Sequence, residues 1–341
     1  MRMFIADRNL FGVDLNPVAV ELAEVSLWLN ALSSDRYVPW FGLQLHAGNS
    51  LIGCRREAYW LKDFHGKSLP PPHPVAPDGF RPGEEIWHFL VGNPDMALYK
   101  DADVKALKGD EIKLLAARKK AFCGKYARDD LDRLALLSSQ IEELWQTWSE
   151  KLEDLDAKTS DPLSIYGHRE DETARTSYRE KQSLLEMARH GDGTLDSGEF
   201  ARLKLVMDSW CALWFWPIEK AGAFPTRDEW IGAVTSILSG LTTTTGRLAA
   251  DLRPDDDLFS AATREELVES QASEDQEDQR DGTPDWERRM RTLEGRHPLV
   301  AVCNVISRRE KFLHWPLRFA NIFLPQDGSN PGFDLTLGNP P

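Results

Sequence analysis

Cysteine is scarce. The 341-residue chain has 4, Cys54, Cys123, Cys211 and Cys303, far apart and never as Cys-x-x-Cys. That pattern excludes a disulfide-stapled scaffold and carries no metal-site spacing. Free buried thiols in a reducing compartment are the reading. Long apolar runs are missing too. Nothing reaches the roughly 18 residues of a membrane-spanning helix. The opening stretch, MRMFIADRNLFGVDL, has charges among its apolar residues and so lacks the layout of a signal peptide. The expectation is a cytoplasmic protein with no membrane partner. Positive charge is also short: 41 Lys and Arg stand against 55 Asp and Glu, a formal net charge of −14. A surface that bound nucleic acid all over would be basic. Action on DNA would therefore need a basic reading module elsewhere. What is present suffices for a core, since 41% of residues are hydrophobic and 28% charged. The length suits about two domains.

The two ends of the chain share one texture and the middle has another. NLFGVDL, at 9–15, is a short apolar run suited to a buried parallel strand. NPVAVELAEVSLWLNAL then reads as a helix, with Asn16 as N-cap and Pro17 at the first helical position, where its missing N–H costs nothing. Most of its residues are apolar, which predicts a largely buried helix. GLQLHAGNSLIG, at 42–53, gives a second strand ending at Gly48-Asn49-Ser50. From about 55 to 82 the chain reads as irregular, and the proline cluster SLPPPHPVAPDGFRPG, at 68–83, forbids regular helix or central strand. Most of the next 200 or so residues are helical in texture. Thr226-Arg227-Asp228-Glu229 and Thr263-Arg264-Glu265-Glu266 have capping-box spacing. LVMDSWCALWFWP, at 205–217, predicts a buried helix with Trp210 and Trp214 on one face, and the acidic stretch at 269–285 reads as a loop. The final residues return to α/β character: an aromatic segment, a turn at 328–332, and a central strand at 333–337.

Three places carry candidate chemistry. Asp14 stands at the carboxyl end of the first strand, where open α/β sheets bind ligands. A carboxylate there can accept both hydroxyls of a ribose, or it can simply help cap the following helix. Asn49, at the end of the next strand, could bond an adenine edge or serve as a turn residue. Asn339-Pro340-Pro341 follows the last apolar run. An Asn amide offers a donor and an acceptor. Consecutive prolines fix the backbone and leave carbonyls free to accept from an amine.

Together these pieces resemble the adenine-specific DNA methyltransferases of large bacterial restriction-modification and phage-defence systems. LFGVDLNPVAVELAEVSLWLNAL looks like that family's second strand and helix, LHAGNSLIG like its third strand, and FLHWPLRFANIF followed by GFDLTLGNPP like the approach to its catalytic motif. The resemblance implies a class I, Rossmann-like α/β sheet, and we divide the chain accordingly. Residues 1–55 would be the first part of the core, 56–300 a proline-rich loop and helical insertion, and 301–341 the strand leading to the catalytic motif. It implies S-adenosylmethionine as cofactor, with Asp14 and its neighbour Leu15 at the ribose and Asn49 and Ser50 near the cofactor adenine. Asn339, Pro340 and Pro341 would meet the amine of an adenine flipped out of double-stranded DNA. Restriction or defence-system subunits would be partners, and no metal is implied.

The sequence departs from the family pattern in places. Only eight residues precede Asn9, where a glycine-rich first strand belongs, and no aromatic follows Pro341. Arg318 and Ala320 replace the usual Glu and Pro, and Asn49 a common Asp. The expectation is a piece of a longer enzyme that binds the cofactor weakly alone. Its rivals are an inactive helical interaction module or another nucleotide-binding α/β enzyme. Three look-alikes are set aside. GNPDMALY, at 92–99, reads as a turn. Pro94-Asp95 with Glu111-Ile112-Lys113 has nuclease residue types on helical texture. DGTLDSGEF, at 192–200, lacks the glycine and glutamate of a calcium loop. The basic run at Arg118-Lys119-Lys120 reads as a solvated helix face.

Overall fold

The computed structural model describes residues 2–31, 40–66, 68–76, 78–160, 176–190, 198–239, 285–324 and 331–338. Helix α1 (Arg2–Arg8) leads into strand β1 (Gly12–Asp14), helix α2 (Pro17–Ala31) and strand β2 (Leu45–Ala47). Asn16 caps α2 by accepting the Val18 N–H at 3.1 Å. Strands β1 and β2 pair in parallel, with Gly12 opposite Leu45 and Asp14 opposite Ala47. This parallel pairing requires the crossover that α2 supplies.

Helix α2 is not largely buried. It carries two apolar stripes on different faces. Val20, Ala23, Leu27 and Ala31 pack with Phe4, Ala6, Leu10, Phe41 and Leu45 in a small core. Val18, Leu22, Val25 and Leu29 are exposed, Leu22 by 61%. The sequence marks both stripes as apolar and says nothing about which one finds a partner.

A second sheet lies where the sequence reads as irregular. Strand β3 (Glu57–Trp60) is its centre, flanked by the two-residue β4 (His73–Pro74) and by β5 (Glu85–Trp87), all antiparallel. Pro74 sits on an edge strand, the place where a missing N–H is tolerated. Strands are thus not confined to the chain ends.

The remainder is helical. It comprises α3 (Ala102–Leu107), α4 (Gly109–Phe122), α5 (Arg128–Thr159), α6 (Tyr178–His190), α7 (Glu199–Ala212), α8 (Arg227–Leu238), α9 (Asp285–Arg296) and α10 (Pro298–Glu310). Two short turns follow, α11 (Trp315–Arg318) and α12 (Ala320–Phe323). Helix α5 is the axis of the main core. Leu131, Leu134, Leu137, Ile141, Trp145, Trp148, Leu152 and Leu155 recur at three- and four-residue steps, and all are buried. The capping box at Thr226 forms as read: its hydroxyl accepts the Glu229 N–H at 3.3 Å, and the Glu229 carboxylate accepts the Thr226 N–H at 2.7 Å. Helix α7 ends at Ala212 and tightens into a 3₁₀ turn, which still brings the Trp210 and Trp214 rings within 5.7 Å. Asn93 closes a turn, accepting the Asp95 N–H at 2.8 Å, and Glu111 and Lys113 lie on helix α4.

Two further expectations are corrected. Arg118 and Lys119 are not merely solvated, because they tie α4 down through the Phe224 carbonyl at 2.9 Å and the Met96 carbonyl at 2.8 Å. Residues 333–337 form no strand; Leu335 and Leu337 are 74% and 86% exposed. Among the described residues β1 pairs only with β2, and 333–337 joins neither strand. The Thr263 capping box, the residues of the acidic stretch before Asp285, the 328–330 part of the turn, and 192–197 of the calcium-loop look-alike lie outside the described residues. Among the described residues no helix is long and apolar enough to cross a membrane.

Candidate active site

The parallel pairing of β1 with β2 sets their carboxyl ends side by side. The Gly48 N–H donates to the Asp14 carbonyl at 2.8 Å, so Asp14-Leu15 and Asn49-Ser50 form neighbouring loops. Asp14 is exposed, and one carboxylate oxygen accepts the Asn16 N–H at 2.8 Å. Asn49 is half-buried, and its side-chain carbonyl accepts the Leu51 N–H at 3.1 Å. Asp14 therefore helps start the helix and Asn49 serves as a turn residue, the simpler of the two roles open to each. What each still presents to a ligand is the rest of a carboxylate at Asp14 and an NH2 group at Asn49. Leu15 is 53% exposed and Ser50 is exposed. Asn339, Pro340 and Pro341 lie outside the described residues.

The segment 311–315 fixes the second of these loops and touches the first. The Asn49 N–H donates to the Lys311 carbonyl at 2.7 Å, and Asn49 bridges Phe312 in parallel register. The Leu313 N–H donates to the Ile52 carbonyl at 3.0 Å, and the Trp315 indole N–H to the Ser50 carbonyl at 3.0 Å. The Lys311 ammonium reaches the Leu15 carbonyl at 3.3 Å. Glycine permits this closeness. A Cβ on Gly48 would lie 2.7 Å from the Leu313 side chain, and one on Gly53 would lie 2.0 Å from the Leu313 carbonyl oxygen. A side-chain tip can move, but the Leu313 carbonyl is backbone. Gly53→Ala is accordingly expected to cost about 3 kcal/mol, the upper end for overpacking. Urea denaturation measures it, and a loss under about 0.5 kcal/mol would show that the two segments part easily.

Beneath the loop lies a buried polar network. The Cys54 N–H donates to His314 Nδ1 at 2.9 Å, and His314 Nε2 meets Asp208 at 2.9 Å. A backbone N–H can only donate, so Nδ1 is unprotonated and the proton sits on Nε2, pointing at Asp208. Asp208 also accepts from Ser307 at 2.7 Å and pairs with Lys204 on its own helix. Burial alone would raise the Asp208 pKa, but Lys204 and His314 outweigh it and hold the carboxyl at about 2. Burial lowers the His314 pKa against the opposing pull of Asp208, which agrees with a neutral ring. Cys54 and Cys211 lie beside this ring with their sulfurs 3.7 Å apart. With His314 they form a cluster of potential metal ligands among the described residues. Both nitrogens of His314 are already committed, and burial, followed by Cys211, pushes the Cys54 thiol well up. The Cys54 amide and Asp208 thus occupy the His314 ring, and the two sulfurs face each other.

From Trp315 the chain is gripped by α5. The Trp145 and Trp148 indoles donate to the Pro316 and Leu317 carbonyls at 3.1 and 2.9 Å, and the Ser149 hydroxyl to the Ala320 carbonyl at 3.2 Å. Phe333 then returns the tail to the parallel strands. Its ring lies 5.4 Å from Phe11, just before β1, and 5.5 Å from Phe319. The described tail, 331–338, thus starts beside β1. A cavity of about 620 Å³ adjoins these elements, lined in part by Ser50, Gly53, Arg55, Trp315 and Phe323.

Sequence reasoning finds the strand-end residues and misses Asp208 and His314. Their partners are 106 and 260 residues away along the chain, and no local spacing signals such a meeting. The arrangement is that of a mixed α/β, mainly helical protein with a candidate ligand edge at the ends of parallel strands, as in a methyltransferase. The family comparison gives the particular assignment. The model of the Eco57I restriction-modification methylase family matches residues 8–341, and the chain belongs to that family of DNA methyltransferases. No curated protein and no solved structure matches it.

Proposed function

We propose that the protein transfers a methyl group from S-adenosylmethionine to the N6 amine of adenine in double-stranded DNA, as the modifying activity of a restriction or phage-defence system in the cytoplasm. In this reading residues 1–55 and 301–341 belong to a Rossmann-like methyltransferase core, and 56–300 are inserted within it. Carrying the proposal is one observation: the exposed Asp14 and the half-buried Asn49 stand on adjacent loops at the carboxyl ends of two parallel strands. Asp14 would accept the ribose hydroxyls, with Leu15 against the sugar. Asn49, through its NH2, and Ser50 would meet the adenine. The cofactor supplies an electrophilic methyl group.

The target amine is a poor nucleophile because its lone pair is conjugated into the ring. The Asn339 side-chain carbonyl and the Pro340 carbonyl would accept its protons and draw the nitrogen toward tetrahedral geometry, with Pro341 stiffening the turn. The adenine must first leave the stack, since its amine is out of reach inside the duplex.

Calorimetry on the protein as its gene encodes it tests the cofactor half. Asp14→Ala is expected to weaken S-adenosylmethionine binding about 10- to 100-fold, the worth of hydrogen bonds to a charged group. Unchanged binding would leave Asp14 as a helix cap only. Preference for NAD or ATP would replace this reading with a different nucleotide-binding enzyme.

A further inference from the structure

Within itself the loop 48–54 has only the turn at Asn49. It contains two glycines, ends β2, and is exposed at Ser50 and Leu51. Its shape is imposed from outside, by the segment 311–315. Along most of that contact the bonds are main chain to main chain, or end on a main-chain carbonyl. The exception is the last tie, where the Cys54 N–H meets a side chain, His314 Nδ1. His314 is 3% exposed and can turn neither nitrogen elsewhere, because Asp208 holds the Nε2 proton. Asp208 is in turn fixed on α7 by Lys204 and by Ser307 from α10. A continuous path therefore runs from the helical core through Asp208 and His314 to the backbone of the loop that bears Asn49 and Ser50.

We propose that His314, oriented by Asp208, is a positioning residue that sets the 48–54 loop for cofactor binding. The inference rests on the assignment of Asn49 and Ser50 to the cofactor. His314 touches no ligand in it, and acts through the Cys54 amide. Orientation matters because Nδ1 must remain an acceptor. A ring turned over, or doubly protonated, would face the Cys54 N–H with another donor, and the loop would lose its inner anchor.

The test uses the gene-encoded protein and S-adenosylmethionine as probe. His314→Phe keeps the buried ring and removes both nitrogens. His314→Asn keeps an acceptor at the δ position. Loss of one well-made bond predicts a KM for the cofactor raised about tenfold in His314→Phe, with much smaller change in kcat at saturation and partial recovery of KM in His314→Asn. A merely structural role would instead lower kcat through the active fraction and leave KM alone, and that result would overturn the inference. Should His314→Phe fail to fold, amide exchange in the unmodified protein decides. The Cys54 amide must be among the most slowly exchanging of 48–54, and rapid exchange would refute the anchor. No binding of the cofactor by the unmodified protein would be a separate outcome. It removes the cofactor assignment itself, and this inference with it.

Discussion

Replacing Arg56 by alanine is expected to cost about 3–5 kcal/mol of unfolding free energy. The Arg56 guanidinium lies inside the protein, 3.6 Å from the Glu142 carboxylate, with side-chain exposures of 12% and 6%. It also lies over the rings of Trp87 and Trp145, at 5.2 and 5.0 Å. Burial lowers its pKa, while Glu142 opposes that shift. Deleting the cation leaves Glu142 buried without its partner and removes two cation–π contacts. It also opens space against α5, the axis of the main core. The loss is a large share of the roughly 5–15 kcal/mol that a domain typically has. The double variant Arg56→Met with Glu142→Leu should recover most of it, because apolar groups of similar size carry no desolvation penalty. Urea denaturation of these two variants and of the unmodified protein provides the comparison. A cost below about 1 kcal/mol for Arg56→Ala would mean that the pair is solvated.

Asn339→Ala should slow methyl transfer about a hundredfold and leave cofactor affinity intact. Its side-chain carbonyl would accept a proton from an amine whose acidity rises as the new bond forms, so the interaction strengthens toward the transition state. Losing one such partner typically costs about 3 kcal/mol of activation energy, or roughly a hundredfold in rate. Asp14→Ala should show the opposite split, since the ribose is unchanged by the reaction and its binding contributes equally before and during the step. Single-turnover methylation of an adenine-containing duplex separates the two variants. An Asn339→Ala rate equal to that of the unmodified protein would reduce the Asn-Pro-Pro sequence to a turn.

The start of the candidate site was legible because its signals are local. Asn16-Pro17 announces a helix start, and the apolar runs before Asp14 and Gly48 announce strands. The capping box at Thr226 and the turn at Asn93 are local in the same way. Three features were hidden, each for a physical reason. The exposure of Val18, Leu22 and Leu29 depends on what else packs nearby, and composition cannot report that. Strand β3 lies just before a proline-rich stretch and is stabilised by pairing with β5, where Tyr59 faces Ile86, 27 residues on. The Asp208–His314–Cys54 path joins three segments that meet only in three dimensions. The apolar run at 333–337 shows the converse: its residues are strand-like in composition, yet they join no sheet, and Leu335 and Leu337 stay exposed.

These elements suggest how the helical body serves the candidate chemistry. Helix α5 holds Pro316 and Leu317 by its indoles and Ala320 by the Ser149 hydroxyl, α7 and α10 hold His314 through Asp208, and Phe333 lies against Phe11. The loops proposed for the cofactor are thus braced by residues far from them in sequence.

Methyl transfer itself is measured by incubating the gene-encoded protein with tritiated S-adenosylmethionine and duplex DNA, then digesting the DNA to nucleosides and identifying the labelled one. Label is expected in N6-methyladenine, and its loss is expected when Asn339 is alanine. Label in a cytosine derivative, or a modified adenine that persists at full rate without Asn339, would refute the proposed reaction.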